Sequence, residues 1–226
     1  MHIEPGVVDG AKLVLGTATG LAAVAAVAKL TFETLKREQN YSAVLVRSIV
    51  SSAIVLASFE ILPHPPVGVS EVHLILGTTL FLLFGTVPAA IGLIVGLSSQ
   101  TFLFALADIP QFGMNLTTLL VPLLAMAVLA RRVLPPATPY VDVSYGQALK
   151  LSLTFQGGIV AWVAFWVFYG QGFSAEVIAN VGAFASVYLI VILFEPAIDL
   201  ILLALAKTFR KFENTGLPQA RLYQAG

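Results

Sequence analysis

The stretch AEVIANVGAFASVYLIVILFEPAIDLILLALA, residues 175–206, decides the class of fold. From Val177 to Phe194 it carries no charged side chain. A run of that length and apolarity matches the hydrocarbon thickness of a bilayer rather than the core of a soluble domain. The rest of the chain repeats the pattern. Apolar residues make up 58% of the 226 and charged residues only 11%, with a mean hydropathy of +0.92. Such a composition belongs to a polytopic membrane protein.

Working outward, the spacing predicts seven helices at Gly10–Ala28, Tyr41–Leu62, Val72–Thr86, Ala89–Ala107, Leu116–Ala130, Tyr145–Tyr169 and Ala175–Ala206. Proline and glycine punctuate them: Pro63-His64-Pro65-Pro66, Pro88, Pro110, Pro135-Pro136 and Gly170-Gln171-Gly172. The expected architecture is an all-α membrane protein of one transmembrane domain over residues 1–226. Residues 1–9 form a short N-terminal segment ahead of the first helix, and 207–226 a cytoplasmic tail. The first residues hold Glu4 and Asp9 but neither Lys nor Arg, so the first apolar segment reads as a retained helix, not a signal peptide.

Charge sets the expected orientation. Lys29, Lys36, Arg37, Arg131, Arg132, Lys150 and the basic residues from Lys207 to Arg221 fall on one side, with Arg47 near it, against Lys12 alone on the other. The positive-inside bias puts the N-terminus outside and the C-terminus in the cytoplasm of a bacterial-type cell membrane. A net charge of zero offers no basic footprint for nucleic acid, so the surrounding partner is lipid. The absence of cysteine excludes disulfides and thiolate metal sites.

The chemistry begins at Met1-His2-Ile3. A His directly after the initiator lines up three nitrogens: the α-amine, the His2 amide and the His2 imidazole. Together they close a five- and a six-membered chelate ring around one divalent ion. The bulk of His2 disfavours removal of Met1. Two of the expected helices, Val72–Thr86 and Leu116–Ala130, rise only about 22 Å, short of the roughly 30 Å hydrocarbon core. Their outer ends are therefore expected to leave a recess, with His73 at one and Asn115 at the other. Non-helical backbone at that depth must line a polar cavity or be buried in protein. His73 is a candidate fourth nitrogen. A planar four-nitrogen site favours Ni(II) or Cu(II) and accommodates low-spin Co(II). Ser70, Glu71 and Asn115 are candidates for bonds that orient the ligands. His64 reads as a loop residue and a possible transient ligand.

Met1-His2-Ile3, the loop Pro65-Pro66-Val67-Gly68-Val69-Ser70-Glu71-Val72-His73-Leu74 and Gly113-Met114-Asn115 resemble the CbiM/NikM family. These are substrate-binding S components of energy-coupling-factor (ECF) transporters for cobalt and nickel. The resemblance runs in order and spacing from residue 1 to about Arg132. It implies a seven-helix bundle whose N-terminal metal-binding segment, residues 1–9, plugs the outer face. The same resemblance implies metal ligation by the Met1 amine, the His2 amide and imidazole and the His73 imidazole, with Asn115 near the plug. It also implies a transmembrane T component, two ATPase subunits and sometimes a small accessory membrane subunit as partners. Co(II) or Ni(II) is then cargo and no cofactor is required; overall resemblance favours cobalt. The chain departs from the family at Glu4-Pro5-Gly6 and at Thr118, where a second Asn is usual.

No GxxxxGK[ST] phosphate loop is present, so ATP hydrolysis is expected in other chains and the protein is not expected to be an enzyme. Two competing readings are an intramembrane metalloenzyme and a structural membrane protein with an incidental N-terminal His. The first lacks an HExxH pair. Glu195 and Asp199 share a face of the last helix and read as a structural or partner-facing charge cluster at the depth of Arg47. The pairs Gly16/Gly20 and Gly92/Gly96, and Ala22/Ala26, read as close helix-packing faces.

Overall fold

The structure, a computed structural model, describes residues 3–38, 40–213, 215 and 218–224. Seven helices dominate it: α1 Leu13–Glu38, α2 Tyr41–Glu60, α3 Gly77–Phe84, α4 Thr86–Leu103, α5 Phe112–Val133, α6 Tyr145–Gln171 and α7 Ala175–Thr208. A two-residue hairpin, β1 Pro66–Val67 and β2 Ser70–Glu71, stands between α2 and α3. All the helices except α3 are long and apolar enough to cross a bilayer. The protein is a multi-pass membrane protein.

The lateral surface is apolar, as a lipid solvent demands. On α7, Leu189, Ile190, Leu193 and Phe194 are each more than half exposed, whereas Tyr188, Glu195 and Asp199 on the opposite face are buried. Helices approach through small residues, because packing rather than a hydrophobic drive holds helices together in lipid. Gly16 and Gly20 of α1 lie against Gly113 and Met114 of α5, and Gly92 and Gly96 of α4 lie against Ser51 and Val55 of α2. Ala22 and Ala26 are exposed and take no part in this packing.

Three expected boundaries change, each for a physical reason. α1 runs ten residues past Ala28. Its polar extension is still helix-forming sequence, and Lys29 and Glu33 pair across one turn at 4.0 Å. Pro88 does not break α4; it sits in the first turn, where its missing N–H is no loss. The break lies at Gly85, at φ +95°. α5 begins at Phe112 and is 22 residues long, about 33 Å, so it is not short as expected. The 3-10 turn Leu106–Gln111, holding Pro110, leads straight into it.

α3 is the exception in the other direction. It has eight residues, about 12 Å of rise. The segment from Val72 to Leu76 is non-helical and buried to intermediate in exposure, so His73 precedes the helix instead of heading it. Apolar periodicity does not separate a buried strand from a buried helix over so short a run. At its other end, α3's final carbonyls are bonded by the chain's own C-terminal region. Gln219 donates its backbone N–H to Leu83 O at 3.0 Å and its Nε2 to Phe81 and Leu82 carbonyls, both at 2.6 Å. Phe81 O also accepts the Gly85 N–H at 3.0 Å, whereas Leu82 and Leu83 lie in the last turn, where carbonyls run out of intrahelical partners. Residues beyond Lys207 are thus partly docked: Leu222 is buried and Tyr223 Oη donates to Ala206 O at 2.6 Å.

Basic side chains gather where the sequence placed them together. Arg37, Arg47, Arg131 and Arg221 line one open recess of about 1110 Å³. Arg47 is buried there, ion-paired to Glu38 and donating to Phe84 O at 3.3 Å.

Candidate metal centre

The site is built on the β1–β2 hairpin. Its two-residue turn places Gly68 at φ +63°, a conformation that favours glycine. A Cβ there would also stand 3.1 Å from Asn180 O of α7, so glycine lets the hairpin close onto that helix. Ile3 then adds to the free edge of the hairpin, pairing antiparallel with Ser70, and Glu4 donates its N–H to Val69 O at 3.2 Å. The Ile3 side chain is fully buried. Its backbone N–H points away from the sheet pair and donates to Asn115 Oδ1 at 3.0 Å, in the first turn of α5. Asn115 thus joins the N-terminal segment to the bundle, and it is itself fully buried.

His73 follows the hairpin by two residues and is completely buried. Its ring stacks parallel to His64 at 5.0 Å between centroids and meets Phe59 edge-on at 5.1 Å. Glu71 lies between the two imidazoles: its Oε2 is 3.6 Å from His73 Nε2 and its Oε1 is 3.9 Å from His64 Nδ1. One ligand atom from each of His64, Glu71 and His73 can be chosen so that all lie within 4.8 Å of one another. Exposure falls along the set, from His64 at 39% through Glu71 at 26% to His73 at 0%. Burial first, and the Glu71 charge second, hold the Glu4 carboxyl above the usual carboxylate range. Two imidazoles and a carboxylate form a nitrogen–oxygen donor set suited to a borderline divalent ion of the later transition series.

The structure therefore brings His64, Ser70, Glu71, His73 and Asn115 to one end of the bundle. Met1 and His2, the expected chelate, lie outside the described residues. Ser70 contributes mainly through its backbone, although its Oγ reaches Glu71 O at 3.5 Å. Thr118 sits one turn below Asn115 and bonds back to Met114 O at 2.8 Å, so it does not replace a ligand-orienting amide.

For Glu195 and Asp199, read as a structural or partner-facing cluster, the structural alternative holds. They are buried at 0% and 1% and face α3 and α6, so they are not partner-facing, and Arg47 pairs elsewhere. Glu195 Oε2 accepts from Ser152 Oγ at 2.8 Å and Gln156 Nε2 at 2.9 Å. Asp199 accepts from the Thr79 hydroxyl. Pro196, between them, frees the Ile192 carbonyl, which Ser152 Oγ approaches at 3.5 Å. Tyr188 was not singled out from the sequence, yet its hydroxyl donates to the His73 carbonyl at 3.4 Å. Its signal was a Tyr within an apolar run on the face shared with Glu195 and Asp199, since a buried Tyr hydroxyl seeks a partner.

No curated protein matches the chain. A solved transition metal transporter superposes on it with a TM-score of 0.70 at 17% identity, over 95% of this chain and 99% of that one. At that identity the likeness is one of fold. Residues 2–212 match CbiM, described as the cobalt uptake substrate-specific transmembrane region. The match takes in the hairpin, the His73 segment and all seven helices, and the chain accordingly belongs to the CbiM family.

Proposed function

We propose that the protein is the substrate-capturing membrane subunit of an ECF-type importer of Co(II) or Ni(II), with the ion held by the Met1 amine, the His2 amide and imidazole, and the His73 imidazole. The end of the bundle carrying Ile3 faces outside and the arginine-lined end faces the cytoplasm, following the positive-inside bias. A T component and two ATPase subunits, with or without a small accessory subunit, supply the energy.

One observation carries this reading: Ile3 is pinned between Ser70 and Asn115, on the same hairpin that leads into His73. Consecutive Cα atoms are about 3.8 Å apart, so anchoring Ile3 shortens the reach from His2 to His73. Metal binding by these nitrogens releases their protons, which makes capture tighter as pH rises. His64, the most exposed of the three side chains, serves as a transient ligand together with Glu71 before the ion reaches His73.

The test is a Co(II), Ni(II), Cu(II) and Zn(II) titration of protein with a native N-terminus. His2→Ala and His73→Ala are each expected to abolish tight one-to-one binding. One residue inserted between Met1 and His2 keeps every side chain but breaks the fused rings, and is expected to abolish it too. Unchanged affinity in the insertion variant would sink the chelate geometry. Tight binding that survives it but is lost on His64→Ala would point instead to a site made of His64, Glu71 and His73.

A further inference from the structure

We infer that Tyr188 and Glu195 of α7 are positioning residues for the metal site, holding the segment that presents His73. This rests on the reading of His73 as a ligand. The segment from His73 to Leu76 is short, non-helical and buried to half-buried, and belongs to no strand among the described residues. At its last residue before the helix, Leu76 adopts φ +58°, a left-handed conformation rare for a non-glycine residue. Such conformations persist only where the surroundings over-determine them. Both ends of this segment are held by α7.

At the His73 end, the fully buried Tyr188 donates to the His73 carbonyl at 3.4 Å. At the Gly77 end, the Glu195 carboxyl is faced by the backbone N–H of Thr78, in the first turn of α3. One turn further along α7, the Asp199 carboxylate takes the Thr79 hydroxyl. Tyr188 and Glu195 lie seven positions apart, about 10 Å along the same face of the helix. The first-turn N–H groups of α3 have no intrahelical partner, and lipid offers none. A carboxyl group at a helix N-terminus also meets the positive end of its dipole. Ser152 and Gln156 of α6 fix the Glu195 carboxyl in turn, at 2.8 and 2.9 Å. The start of α3, and with it the place where the His73 segment ends, is therefore set by α7 and α6 rather than by local sequence. The opposite face of α7 is apolar and exposed, so its buried polar groups turn towards α3, α6 and the His73 segment.

The experiment compares wild type, Tyr188→Phe, Glu195→Gln and His73→Ala, with native N-termini, by Co(II) titration, the visible absorption bands of bound Co(II), and thermal melting of the metal-free protein. Tyr188→Phe deletes one oxygen and keeps the ring, so it guards against a Glu195 variant that fails to fold. Orienting partners outside the ligand set are worth about 10–100-fold in metal affinity. The expected result is a loss of about 10-fold in Co(II) affinity for Tyr188→Phe, shifted absorption bands and a nearly unchanged melting temperature, with Glu195→Gln the same in direction and larger. An unchanged affinity and spectrum in Tyr188→Phe overturns the inference. Weaker binding with unshifted bands and a melting temperature lowered in step means general loosening, and overturns it as well. If His73→Ala itself binds like wild type, it is ligation by His73 that has failed.

Discussion

Replacing Asn115 by Ala should undock the N-terminal segment, and the structure allows the effect to be sized. Fixing the backbone of residues 3–8 costs about 6–12 kcal/mol in conformational entropy. Ile3, Val7 and Val8 are buried in return, each contributing about 1.5–3 kcal/mol. Three hydrogen bonds hold the segment: Ile3 N–H to Asn115, Glu4 N–H to Val69 and Val7 N–H to Glu4. At about 0.5–1.5 kcal/mol each, they bring the docked state close to balance. Asn115→Ala removes the acceptor and leaves a buried Ile3 N–H unsatisfied, at about 1–3 kcal/mol. With docking near balance, about half the protein starts docked, and that loss lowers the fraction to about 0.16–0.006. Apparent metal affinity scales with the population competent to bind, so Co(II) affinity should fall by about 3- to 80-fold. Titration calorimetry of the native-N-terminus protein measures it directly. Thr118→Ala is the control, because it removes a buried hydroxyl of the same helix that bonds only to Met114 O. Asn115→Ala protein that binds Co(II) within twofold of wild type would refute the reasoning, as would an equal loss in Thr118→Ala.

Further predictions concern the frame around the site. In Gly113→Ala the new Cβ would stand 2.4 Å from the Gly16 carbonyl oxygen, a backbone atom that cannot rotate aside, so α1 and α5 must part by about 1 Å. Overpacking of that kind costs about 1–3 kcal/mol, and the melting temperature should drop accordingly. Gly157→Ala, with nothing within 4 Å of its Cβ, should melt at or above wild type; the reverse ranking would refute the helix-contact argument. Burial, only partly opposed by Arg221, raises the Tyr140 phenol above the ordinary tyrosine range. The folded state therefore binds this proton more tightly than the unfolded one. The contribution is complete below the unfolded value near 10 and is lost as pH climbs through the higher folded value. Melting of wild type should consequently fall more steeply than that of Tyr140→Phe above about pH 10; parallel pH profiles would contradict it.

Much of the fold was legible because a bilayer imposes length. α2, α6 and α7 lie within two residues of their expected ends, since each is a long apolar run closed by Pro, Gly or charge. His73 and Asn115 were expected at one recess, but the hairpin that joins them to Ile3 was not foreseen. What the sequence hid was conformation inside apolar stretches. Val72–Leu80 contains nothing that distinguishes a buried extended segment from helix, because in lipid both are apolar. The break at Leu76 is flanked by contacts from α7 that lie over a hundred residues away in sequence, Tyr188 with His73 and Asp199 with Thr79. Glu195 and Asp199 were visible as a shared face, but their partners were not. Those partners exist only because α3 starts late and offers an open N-terminus where a full-length helix would have offered a closed side.

That late start explains the architecture of the site. A helix of eight residues covers about 12 Å of a hydrocarbon core about 30 Å thick. The remainder has to be filled by backbone whose polar groups are satisfied within the protein. On one side the filling is the hairpin and the His73 segment, closed over by Ile3 and Glu4. On the other it is Gln219, bonded to the last carbonyls of α3. The two terminal regions of the chain thus cover the two ends of one half-length helix. A complete third span would have needed neither cover, and would have left no extended, donor-bearing backbone at depth to hold an imidazole in place. The shortness of α3 is therefore the structural condition for the proposed metal centre.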